Sequence, residues 1–212
     1  MEPQTTLHGL YVITDEKLIP RDRFVEAIEA AVKNGANMVQ LREKKAPIEE
    51  IARLGASLLE VTRRYGALLI VNDHPAVALE IGADGAHVGR EDPAIAEARA
   101  MLGPQAIIGA SCYGDVTRAI TAERAGADYV AFGTPFFTPT KGTQGKTPLS
   151  IYREVKQHVG VPVFAIGGIT IDNALSVVEA GADGIAVVSS VFGAADIAEA
   201  ARTLAQLFDQ TD

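Results

Sequence analysis

Gln40, Arg42 and Lys44 occupy alternate positions of one short segment, Gln40-Leu41-Arg42-Glu43-Lys44-Lys45. In extended chain that spacing turns all three side chains to one face, and Leu41 and Glu43 to the other. Two cations on an inward face are costly to desolvate unless they meet an anion. Arg42 offers a planar fork for phosphate oxygens and Lys44 a mobile point charge, whereas Lys45 fits a solvated rim. Asp73, in Asn72-Asp73-His74-Pro75, and Asp92, in Glu91-Asp92-Pro93, could each cap a helix with proline in its first turn. Alternatively, two carboxylates facing one point, together with phosphate oxygens, would hold Mg2+. Zinc is disfavoured, because His8, His74, His87 and His158 lack ligand spacing and Cys112 is alone. Cys112 reads as a small buried residue. Gly167-Gly168 and Ser189-Ser190 suggest a phosphate pocket, although the glycines could simply make a tight turn. The segment from Thr138 to Lys146 carries hydroxyls, two lysines and two glycines, the makings of a lid over an anionic ligand. A structureless surface loop is the alternative.

These residues need a scaffold that gathers them, and a fourfold repeat supplies it. Asn34-Gly35-Ala36-Asn37, Ile81-Gly82-Ala83-Asp84, Ala125-Gly126-Ala127-Asp128 and Ala180-Gly181-Ala182-Asp183 each follow a helical pattern and precede a short apolar run. The glycine reads as the left-handed residue that ends a helix. Each repeat therefore turns a helix into a buried strand. The glycines are 47, 44 and 55 residues apart, by subtraction of 35, 82, 126 and 181. One strand–helix–strand unit takes about 30 residues, so each interval must hold a second unit. Leu10–Ile13, Leu68–Val71, Ala106–Gly109 and Val161–Ile166 are the additional strands. Eight strands in this order predict a single-domain (β/α)8 TIM barrel of parallel strands, spanning 1–212. Helices are expected at roughly 21–34, 47–65, 75–81, 94–102, 115–125, 148–158, 171–180 and 196–208, with Asp196 as a cap. An open doubly wound sheet competes, but Thr14-Asp15-Glu16 follows the first strand instead of a Gly-rich nucleotide turn.

Composition bounds the function. A formal net charge of −8 argues against a general nucleic-acid binder. No apolar run is long enough to span a membrane, and no secretion signal is visible, so a cytoplasmic location is expected. One cysteine excludes an internal disulfide and fits a reducing compartment. A barrel places its chemistry at the C-terminal strand ends. There this chain carries cations, hydroxyls, glycines and two carboxylates, without a nucleophile–base pair. The inventory suits a phosphorylated small molecule held with a metal.

From about Tyr11 to Val191 the strand ends resemble the thiamine-phosphate synthase family. The likeness rests on Gln40-x-Arg42-x-Lys44, Asn72-Asp73, Asp92 in His87-Val88-Gly89-Arg90-Glu91-Asp92, Ser111, Thr138-Pro139-Thr140-Lys141, Gly167-Gly168-Ile169-Thr170 and Val188-Ser189. The resemblance implies that a hydroxymethylpyrimidine diphosphate loses pyrophosphate to a thiazole phosphate, or its carboxylated form, by a dissociative route through a pyrimidine cation. It implies Mg2+ on Asp73 and Asp92, with Arg42, Lys44 and Lys141 stabilising the leaving pyrophosphate. Gln40, Asn72 and Ser111 would orient the pyrimidine diphosphate. Thr138, Thr140, Gly168, Val188 and Ser189 would hold the thiazole phosphate. Many family members have histidine after the serine of strand 5, where this chain has Cys112-Tyr113, and His74 follows Asn72-Asp73 in place of an acid or arginine. A thiazole tautomerase on the same barrel is the nearest competitor, and the missing histidine counts against it. A phosphate sensor without catalysis is the other alternative. Homo-oligomerisation is left open.

Overall fold

The computed structural model describes residues 7–89, 95–137 and 147–209. Eight parallel strands close into a barrel in sequence order. They are β1 (Gly9–Ile13), β2 (Ala36–Leu41), β3 (Leu68–Asn72), β4 (Gly85–Val88), β5 (Ile107–Ser111), β6 (Tyr129–Phe132), β7 (Val163–Ile166) and β8 (Gly184–Val187). The helices of the described residues are α1 (Phe24–Lys33), α2 (Ile48–Tyr65), α3 (Pro75–Ile81), α4 (Ile95–Leu102), α5 (Val116–Arg124), α6 (Ile151–Val155), α7 (Ala174–Glu179), α8 (Ser189–Phe192) and α9 (Ile197–Ala205).

Side-chain alternation sorts the strands into two apolar layers. On β1, Tyr11 and Ile13 join Met38, Ile70, Tyr129 and Phe164 inside the barrel. Leu10 and Val12 point the other way, into the layer between strands and helices. On α1 the buried positions Phe24, Ala27, Ile28, Ala31 and Val32 form one stripe that seals this outer layer.

The repeat is explained by more than its glycines. Gly35, Gly82, Gly126 and Gly181 all have positive φ, as the sequence predicts. The aspartates that follow do a second job, which the sequence reading missed. Each of Asp84, Asp128 and Asp183 accepts from the strand before its own: Leu69 N at 2.7 Å, Ile108 N at 2.7 Å and Val163 N at 2.8 Å. Their own backbone N–H groups return bonds to the same residues, Leu69 O at 3.0 Å, Ile108 O at 2.8 Å and Val163 O at 2.9 Å. Strands 3, 5 and 7 are thereby stapled to strands 4, 6 and 8 at the end of the barrel away from the βα loops. In the first repeat Asn37 stands in the aspartate's place, exposed within β2. Conserving stability at this end leaves the other end to chemistry. Asp128→Ala should therefore destabilise the protein by about 1–3 kcal/mol, the usual cost of orphaning a partly buried amide from a charged acceptor. Its 2.5 Å ion pair with Arg99 is half-exposed and adds little. Thermal unfolding should shift down while kcat of the folded protein stays at the wild-type value; a loss of kcat at constant stability would contradict the structural role.

Several expected helices are shorter than the sequence suggests, 196–208 contracting to α9, and one helix is unexpected. The 21–34 segment begins as a 3-10 turn at Arg21–Arg23 before α1. The 148–158 segment is α-helical only over Ile151–Val155, because its flanks close three-residue turns, Ile151 N to Pro148 O and His158 N to Val155 O. Likewise 171–180 contracts to α7. The four-residue α8 directly after β8 is too short to leave a periodic signature.

Candidate active site

The C-terminal strand ends surround one cavity of about 590 Å³. Gln40, Arg42, Lys44, Asn72, Asp73, Ser111, Gly168, Val188 and Ser189 all line it. Asp92, Thr138, Thr140 and Lys141 lie outside the described residues.

The segment after β2 owes its shape to buried groups that sequence reasoning did not single out. Thr14, fully buried at the end of β1, accepts from Arg42 N at 2.9 Å. Its own proton faces Arg42 O at 3.3 Å and Glu43 Oε1 at 3.5 Å. The Glu43 side chain is enclosed and meets Arg21 Nη2 at 2.5 Å. Burial raises the Glu43 carboxyl above its ordinary range, and the Arg21 guanidinium opposes that shift. The acid between the two cations is thus turned away from the cavity and matched elsewhere. Arg42 and Lys44 are left to give the cavity wall its positive charge.

Asp73 is not a helix cap. The N-cap of α3 is His74, with no side-chain capping bond. Asp73 instead adopts φ 62°, uncommon for a residue with a side chain, while its N–H donates to His87 O at 2.9 Å. Neighbouring strands thus hold the backbone in a left-handed turn that leaves the side chain on the cavity wall. Asp115 and Asp196, by contrast, do cap their helices through Thr117 N at 2.8 Å and Glu199 N at 3.0 Å.

At the end of β5, Ser111 faces the cavity and Cys112 is buried behind it, with burial pushing the thiol up to about 12. Tyr113 forms the lip at φ 54°, half-exposed, with the Arg118 guanidinium 5.4 Å from its ring centre. The sequence shows no histidine after Ser111, but the fold brings one from the adjacent strand. His87 on β4 lies with Nε2 2.9 Å from Ser111 Oγ and Nδ1 3.0 Å from the Tyr129 hydroxyl. Tyr129 in turn is 2.9 Å from the Tyr11 hydroxyl, which accepts from Gln40 Nε2 at 2.8 Å. Each member is a polar side chain on a largely apolar strand, and no local pattern in the sequence marks the network.

On the other side of the mouth, Gly168 takes φ 67°, and a Cβ there would stand 2.3 Å from Phe137 O. Only glycine lets the loop after β7 pass this close under the loop after β6. The Ser190 hydroxyl ties the start of α8 to Ile169 O, and Ser189 and Ser190 both line the cavity. The tight turn and the cavity wall are one feature.

Among the described residues, no three His, Cys, Asp or Glu side chains converge to hold a metal. Asp73 is the carboxylate on the described cavity wall. Its oxygens, with neutral oxygen donors nearby, suit a hard divalent cation and not a soft one. Among the described residues no helix is long and apolar enough to cross a membrane.

Residues 10–191 match the family model described as thiamine monophosphate synthase. The chain is 44% identical over 204 residues to a thiamine-phosphate synthase of Nitrosococcus oceani, covering 96% of this chain and 94% of that protein. It is 47% identical over 200 residues to that of Methylococcus capsulatus, covering 94% and 89%. A solved thiamine phosphate pyrophosphorylase from Pyrococcus furiosus superposes with a TM-score of 0.86 at 41% identity, over 95% of this chain and 96% of the other.

Proposed function

The chain belongs to the thiamine monophosphate synthase family and is a transferase, and from that premise we propose that it joins 4-amino-5-hydroxymethyl-2-methylpyrimidine diphosphate to 4-methyl-5-(2-phosphoethyl)thiazole, or its carboxylated form. The products are thiamine phosphate and pyrophosphate, together with carbon dioxide when the thiazole is carboxylated. The observation that supports these substrates is the division of the cavity rim. Arg42, Lys44 and Asp73 lie after β2 and β3, Gly168 and Ser189 after β7 and β8, and the neutral polar groups of Gln40 and Ser111 face the space between. Two anionic ends and one polar ring edge match that layout.

In this reading the pyrimidine's exocyclic C–O bond breaks and its electron pair leaves with pyrophosphate. The thiazole nitrogen then gives its lone pair to the same carbon. No proton must be removed to form that bond, so the absence of a strong base beside the cations is no obstacle. Arg42 and Lys44 neutralise charge as it grows on the leaving group, where a fixed dipole or charge is worth most. Asp73 and Asp92 would hold Mg2+, which when bound supplies further charge to the diphosphate oxygens. Thr138, Thr140, Gly168, Val188 and Ser189 would retain the thiazole phosphate, and Lys141 would add charge for the leaving diphosphate. Exclusion of water protects the pyrimidine cation from being quenched.

A second reading, isomerisation of the thiazole phosphate, draws on one observation: His87 reaches the end of β5 after all. One assay separates the two. Purified protein with both substrates and Mg2+ should form thiamine phosphate and pyrophosphate in equal amounts, and EDTA should stop it. Thiazole phosphate alone should stay unchanged. Isomerisation of the thiazole without coupling would replace the synthase reading with the tautomerase one.

A further inference from the structure

Beneath the cavity five side chains from five strands form one continuous chain: Gln40, Tyr11, Tyr129, His87 and Ser111. We infer that Tyr11, Tyr129 and His87 are positioning residues that fix Gln40 as an acceptor and Ser111 as a donor towards the pyrimidine ring, and so select an amino over an oxo ring. This rests on the proposed pyrimidine substrate and concerns groups that the transfer itself does not use.

The inner members are buried: Tyr11 is 1% exposed, Tyr129 0% and His87 6%. Room for the Tyr129 ring exists only because β5 carries Gly109, where a Cβ would fall 2.0 Å from Tyr129 Cζ. The Tyr11, Tyr129 and Phe164 rings meet edge to face at 5.3–5.9 Å, which holds both hydroxyls in place. Burial drives both phenols above their ordinary range, so each keeps its single proton.

Single protons give the chain a direction. Gln40 Nε2 can only donate, so Tyr11 accepts from it and passes its own proton towards Tyr129. Tyr129 then has its proton for His87 Nδ1. A neutral imidazole that accepts at Nδ1 carries its hydrogen on Nε2, which donates to Ser111 Oγ. The Ser111 hydroxyl hydrogen is thereby released towards the cavity, while Gln40 keeps its carbonyl oxygen for a ligand donor. The cavity presents an acceptor at Gln40 and a donor at Ser111. An aminopyrimidine edge, with an N–H and a ring-nitrogen lone pair, is the complement. A 4-oxo ring carries the reverse pattern and could be met only by reversing every bond in the chain. Coupling the two ends makes mismatch at either one a cost to both.

The test measures binding by calorimetry, in Mg2+, of inorganic pyrophosphate, the 4-amino pyrimidine diphosphate and its 4-oxo counterpart. The proteins are wild type, Tyr129→Phe, Tyr11→Phe, Ser111→Ala and the Tyr129→Phe/Ser111→Ala double variant. Each phenylalanine variant should lose about tenfold or more of the amino-over-oxo preference, the size expected when one buried hydrogen bond is broken. Pyrophosphate binding should stay within about twofold of wild type, a readout that a collapsed barrel would not preserve. In the Ser111→Ala background, Tyr129→Phe should cost clearly less than it does in wild type, because only the Gln40 end is left to orient. Intact preference in both phenylalanine variants, fully additive losses, or equal loss of pyrophosphate binding would each overturn the inference. If wild type binds the 4-amino diphosphate no tighter than pyrophosphate, the pyrimidine reading falls and takes this one with it.

Discussion

Asp73→Asn should leave the barrel folded and reduce kcat by about 10²–10³, the range seen when one preorganised electrostatic group is removed from a charge-developing site. Asparagine is the informative replacement. It tolerates the left-handed backbone that Asp73 adopts at φ 62° better than alanine does, and it keeps the N–H bond to His87 O. What it removes is the negative charge. If Asp73 helps hold Mg2+, the variant needs far more metal to reach its residual maximum, and thermal unfolding in EDTA matches that of wild type. Wild-type turnover at ordinary Mg2+ would show that this carboxylate has no metal role. The strained turn would then need another explanation.

Asp73 also shows how far the sequence could be read. Two residues before a proline, an aspartate is compatible with either a cap or a ligand, and only the backbone angle and the His74 cap separate them. The barrel was legible because it is periodic. Helix-ending glycines at regular intervals, followed by apolar runs, leave few topologies, and the closed order of strands follows. The rim residues were legible because polar and charged groups at strand ends stand out against apolar strands. Less visible were interactions between residues far apart in sequence. Thr14 orders Arg42 across 28 positions, and His87 meets Tyr129 across 42. Neither pair leaves a local pattern, since each partner alone looks like an ordinary strand residue. Asp84, Asp128 and Asp183 were visible as part of a repeat, yet their bonds run backwards to the preceding strand, which spacing alone does not disclose.

The second large effect is expected at Arg42, and the neighbouring residues supply its control. Arg42→Lys keeps a positive charge near the wall but loses the planar fork, so it tests geometry apart from charge. We expect kcat to fall about a hundredfold and KM for the pyrimidine diphosphate to rise far less, because the fork meets charge that grows only as the C–O bond breaks. Arg42→Ala should lose about tenfold more. Lys45→Ala, three residues on, should stay within about twofold of wild type, since that side chain is exposed and 3.7 Å from Glu16. The contrast follows from how the segment is held. Thr14 fixes the backbone at Arg42, and Arg21 draws Glu43 to the far side, so alternate residues face opposite environments. Arg21→Ala should therefore impair turnover without touching substrate, by leaving Glu43 buried and unmatched. Equal effects of Arg42→Ala and Lys45→Ala would mean the segment acts only as a diffuse basic rim, and the alternating arrangement would carry no catalytic weight.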